Sequence, residues 1–96
     1  MILIDERFVS ADHIQDVYVK VHPIQERYMV IIQLSGTVAV FGRRDNDYMT
    51  MQMAFELRRR IVRAIVNYKS SDKPEIQNVK IPTFQEVHPE NTSENS

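Results

Sequence analysis

Cysteine is absent from this chain, so disulfides, thiol nucleophiles and Cys-ligated zinc are all excluded. Only two glycines occur, which removes every glycine-rich phosphate loop from consideration. Neither sign of charge dominates. Lys and Arg number 12 against 13 Asp and Glu, and a net charge of −1 gives no overall drive toward nucleic acid or anionic membranes. No apolar run approaches the ~20 residues of a membrane span. The opening Met1-Ile2-Leu3-Ile4 is short and is followed by Asp5-Glu6, unlike the basic flank and longer apolar stretch of a secretion signal. A cytoplasmic protein with no membrane partner is the expectation.

What remains is ordinary globular composition, with 43% hydrophobic and 26% charged residues in 96 positions. That is enough for one small domain with a modest core. Residues 2–9 are apolar around Asp5-Glu6-Arg7 and predict a short strand or extended arm. Residues 14–22 alternate, with Val17, Val19 and Val21 on one face and Tyr18, Lys20 and His22 on the other. After a turn at Pro23, residues 27–34 place Tyr28, Val30, Ile32 and Leu34 on one face. Ser35-Gly36 predicts a two-residue hairpin turn into a third strand over 37–42. Met29 and Ile31 are apolar on the opposite face of the second strand, and Ala39 and Phe41 are expected to join them there. A sheet apolar on both faces needs a cover, from the arm, the tail or another subunit.

The helix is the clearest element. It is expected from about Tyr48 to Tyr68, capped by Asp45-Asn46-Asp47. Ala54, Leu57, Ile61, Ala64, Ile65 and Tyr68 form one apolar stripe. Met51, Phe55, Val62 and Val66 form a second, about 100° away, with Arg58 between the two. One sheet contact does not need so wide an arc. Self-association through the second stripe is the expectation, and a groove closed by the arm or the tail is the alternative. Residues 75–84 carry Ile76, Val79, Ile81 and Phe84 and predict an edge strand or a strap. The domain is expected to end at residue 84, with a disordered acidic tail over 85–96.

Charge is unevenly spread. Residues 43–69 hold seven bases against three acids, while residues 70–96 hold two against five. The helix and its entry are therefore a basic patch that an acidic tail is placed to screen. Arg43 and Arg44 near a helix start, with Arg58, Arg59, Arg60 and Arg63, are the candidate residues for a small anion, a nucleotide or nucleic acid. Against this stand Asp45 and Asp47 beside the same helix start and the absence of an overall basic footprint. The alternatives are a solvated helix face and an acidic protein partner.

Catalytic and metal motifs are weak. Asp12, His13 and Asp16 lie close in sequence but read as a polar turn. Asp45 to Glu56 has the length of a calcium loop, yet the required glycine is Thr50. There is no HExxH and no Gly-x-Ser-x-Gly. No metal, no cofactor and no enzymatic activity are expected. Met49, Met51 and Met53 read as core or interface packing rather than a peptide groove.

Residues 8–68 form a recognisable order: Phe8-Val9-Ser10-Ala11-Asp12-His13-Ile14 before a valine strand, a Ser-Gly turn, a strand ending at Phe41-Gly42, then the helix. This resembles small uncharacterised bacterial and bacteriophage proteins with a strand meander and one C-terminal helix. The resemblance implies a fold and a microbial or viral setting, and it transfers no functional residue. The expected fold is therefore α+β, a three- to four-stranded antiparallel meander packed by one long helix. The expected function is that of a homo-oligomeric binding protein with Met51, Phe55, Val62, Val66, Met29, Ile31 and Phe41 at its interfaces. A nucleotide- or nucleic-acid-binding module and a structural subunit are the alternatives.

Overall fold

The computed structural model describes residues 1–23, 27–43, 48–70 and 75–88. The fold is α+β. Three of its strands are β3 (Ile14–Val21), β4 (Tyr28–Leu34) and β5 (Thr37–Phe41), which form an antiparallel meander. The Ser35-Gly36 turn joins β4 to β5, with Gly36 at φ +84°. A two-residue turn pairs Leu34 with Thr37, and that pairing fixes every later register, down to Val30 opposite Phe41. Phe41 and Ala39 therefore share a face with Val30 and Ile32. The expectation that they would join Met29 and Ile31 is corrected here: Val38 and Val40 stand beside Gln33 and Ile31 on that face.

The inner face packs against α1 (Met51–Ser70). Val17, Val30, Ile32 and Phe41 meet Met53, Ala54, Leu57, Ile61 and Ala64 in one buried cluster, with Ile65 and Tyr68 partly buried at its border. The first predicted stripe is thus the core-facing one. The helix starts at Met51 rather than Tyr48, because the preceding segment is used by the sheet: the Tyr28 N–H donates to the Met49 carbonyl at 3.1 Å. Thr50 then caps the helix, its Oγ1 accepting the Met53 N–H at 3.3 Å. The expected cap at residues 45–47 lies outside the described residues. Met49 and Met53 are core residues, and Met51 is exposed.

The N-terminal arm is a hairpin of β1 (Ile2–Ile4) and β2 (Arg7–Val9). Its turn residues Asp5 and Glu6 have φ of 46° and 68°, as a tight primed turn requires. Residues 75–84 supply β6 (Gln77–Val79), which runs parallel to β1. The result is a second sheet, ordered β2-β1-β6, rather than a fourth strand on the meander. Ile2, Ile4, Val9 and Val79 join the same core. Beyond Pro82 a single turn, α2 (Phe84–Val87), is capped by Thr83, whose Oγ1 accepts the Glu86 N–H at 3.3 Å. The boundary expected at residue 84 falls inside this turn: residues 85–88 are described here, while 89–96 lie outside the described residues. Among the described residues no helix is long and apolar enough to cross a membrane.

Candidate functional site

Two apolar surfaces are left outside the core cluster. The first is the second stripe of α1. Met51, Phe55, Val62 and Val66 are between 37% and 58% exposed, although they belong to the same helix as the fully buried Leu57 and Ile61. They fall within about 60° of helix circumference at ~100° per residue. Tyr48 is exposed just before them. The second is the outer face of the meander. Met29 and Ile31 form its central row; each is 8% exposed, so both are already buried although they lie outside the core cluster. They are flanked by Tyr18 and Lys20 on β3 and by Val40 on β5, with Tyr18 and Val38 themselves exposed.

The predicted basic site does not assemble as one patch. Successive residues on a helix point about 100° apart, so a run of arginines diverges. Arg58 reaches the sheet edge, where its Nε donates to the Val17 carbonyl at 3.0 Å. Arg60 faces elsewhere. Its Nη2 donates to Glu86 at 2.8 Å, its Nη1 to the Lys80 carbonyl at 3.1 Å, and its Nε to Glu56 at 3.2 Å. Arg59 sits 3.6 Å from the same Glu56. Arg63 and Arg43 are exposed. Arg44 lies outside the described residues, and Arg43 stands eight residues before the helix start.

Arg60 is thus a clamp between α1, the chain after β6, and α2. Glu86 holds the Arg60 guanidinium above its usual pKa, and Arg60 holds the Glu86 carboxyl below its own. Of the acidic segment expected over 85–96, Glu86 meets the basic helix at Arg60, and residues 89–96 lie outside the described residues. His88 completes the attachment, with Nε2 at 3.2 Å from Thr50 Oγ1 and its ring stacked on Phe84 at 4.3 Å. Val87 packs against the core. Between α1 and α2 an open groove of about 520 Å³ is lined by Met51, Phe55, Arg59, Glu86 and Val87.

Both edges of the meander are occupied by side chains. On β3 the Val17 N–H donates to Asp16 Oδ1 at 2.8 Å while its carbonyl takes Arg58. On β5 the Val40 carbonyl accepts Arg7 Nη1 at 2.9 Å, and the Arg7 guanidinium lies 4.9 Å from the Phe41 ring centre. Charged groups on edge backbone discourage strand addition. The role of Arg7 had no signal in local pattern, since it depends on the packing of β2 against β5, whereas the Asp16 contact is a local one to the next residue. Arg27 at the start of β4 is buried and also escaped notice, because nothing around it in sequence marks burial. Asp12 and His13 lie in an exposed 3₁₀ turn, and Asp16 is engaged on Val17. Comparison of the chain with protein-family models, with curated proteins and with solved structures returns no match in any of the three.

Proposed function

We propose that this is a non-enzymatic binding protein that self-associates and acts by occupying a partner, as a regulator or inhibitor does. The observation that carries the reading is the outer face of the meander, where the exposed Tyr18 and Val38 adjoin Asp16 and Lys20 in an arrangement that matches its own copy. Asp16, Tyr18 and Lys20 run along β3, opposite Gln33, Ile31 and Met29 of β4. Consider a two-fold axis lying between two such faces, at right angles to the strands and through the Tyr18–Ile31 row. It sets Asp16 of each copy against Lys20 of the other and Ile31 against Ile31. Such an isologous contact is self-complementary in charge. The ion pairs at its rim contribute little energy but fix the register, and the exposed Tyr18 with the half-buried Val40 supplies the apolar attraction on either side of the buried Ile31.

On this reading self-association uses the sheet rather than the second helix stripe. The divergence of Arg58 and Arg60 weighs against the anion-site reading, because their guanidinium groups serve intramolecular contacts. The test is light scattering over a concentration series. Wild type should form a defined oligomer, and Lys20→Asp should dissociate it. Lys20→Asp mixed with Asp16→Lys should reassociate, since each supplies the charge the other needs. A chain that is monomeric at every concentration refutes the reading.

A further inference from the structure

We infer that the outer stripe of α1 is the docking site for an acidic amphipathic helix of a partner protein. The inference rests on the binding-protein reading and names the chemistry of what is bound. Met51, Phe55, Val62 and Val66 span 16 positions, a rise of about 22 Å at 1.5 Å per residue, which suits a partner helix of about four turns. The borders of the stripe are basic. On the helical wheel Arg59 and Arg63 line one side and Lys69 is at the C-terminal end, while Arg58 on the other side is held by the Val17 carbonyl. Glu56 is the one acid of the helix, and it is already shared by Arg59 and Arg60.

The chain itself displays the matching chemistry at one end of this surface. The one-turn α2 sets Glu86 on Arg60 and Val87 beside the groove that Met51 and Phe55 line. It is an acidic, apolar turn seated on a basic, apolar helix. The remaining length, with Val62, Val66, Arg59 and Arg63, continues the same pattern without a cover among the described residues. A second copy fits this stripe poorly. Antiparallel self-pairing would centre between Arg58 and Arg59, and parallel pairing would set each arginine beside its equivalent, so like charges meet either way. Strand addition is a poor alternative mode, because Arg7 and Arg58 occupy edge carbonyls of the meander. A helix with an apolar face and glutamates along the flank that meets Arg59 and Arg63 satisfies the stripe and its basic border together.

The probe is a labelled synthetic helical peptide of about 18 residues, with leucines on one face and glutamates on both flanks. A control peptide carries lysine for every glutamate. Binding to the full chain is followed by fluorescence anisotropy at low and high salt. The acidic peptide should bind, weaken with salt, and exceed the control by about tenfold or more. Val62→Asp should lose that binding by a similar factor. The double variant Arg59→Glu with Arg63→Glu, confirmed as folded by circular dichroism, should reverse the preference in favour of the lysine peptide. Equal binding of the two peptides, or binding of neither to wild type, overturns the inference. So does a fall in oligomer mass on Val62→Asp, which would mean that a second copy covers the stripe. The charge swaps at Asp16 and Lys20 test self-association separately, so the two readings fail independently.

Discussion

Leu57 and Val62 stand five residues apart on one helix and should respond to truncation in opposite ways. Leu57 is fully buried among the inner-face residues of the meander, whereas Val62 is 37% exposed on the outer stripe. Leu57→Ala removes about 2 kcal/mol of burial free energy and leaves a cavity that the rigid sheet cannot fill, so the total loss is about 3–5 kcal/mol. A domain of this size has roughly 5–14 kcal/mol in all, so the variant still folds but sits near its limit. With a urea dependence of about 1–1.5 kcal/mol per molar, its midpoint should fall by about 2 M or more. Val62→Ala should move the midpoint by a few tenths of a molar at most, since surface changes cost about 0.5 kcal/mol or less. Urea denaturation followed by far-ultraviolet circular dichroism, at low protein concentration, reads both. Similar midpoints for the two variants would refute the division of α1 into a core stripe and a free stripe, and the docking argument would go with it.

Three further outcomes are expected. Gly42→Ala should destabilise by about 2–4 kcal/mol in thermal melts, because φ is +88° and a Cβ there would lie 2.6 Å from Met49 Cε and 2.9 Å from the Tyr28 carbonyl oxygen. Asp5→Asn with Glu6→Gly should stabilise the chain by about 1 kcal/mol in urea titrations, by relieving two positive φ values in the first hairpin. Attachment of α2 should be pH-dependent. The Arg60 hydrogen bond depresses the Glu86 carboxyl, so the contact is complete above the ordinary carboxylate range and is lost as pH falls through the lowered value. The Phe84 ring shifts in proton NMR should report that loss, and Glu86→Gln should abolish the transition.

The sequence by itself determined the elements whose cause is local. Alternation placed β3, β4 and β5, the Ser35-Gly36 turn set their order, and the spacing of Ala54, Leu57, Ile61 and Ala64 identified the core face of α1. Even the face of Phe41 was within reach, because a two-residue turn pairing Leu34 with Thr37 dictates it by parity. The second apolar stripe was legible too, as an excess of apolar arc over what one sheet contact uses.

The tertiary structure alone decided what joins residues far apart in the chain. The parallel pairing of β1 with β6 links residues 2–4 to 77–79, and no local pattern encodes that partnership. A run of three arginines looked like one basic site. In the fold Arg58 closes a sheet edge while Arg60 holds α2. Helical geometry turns neighbouring side chains about 100° apart, and only the packed surroundings decide which carbonyl or carboxylate each one meets.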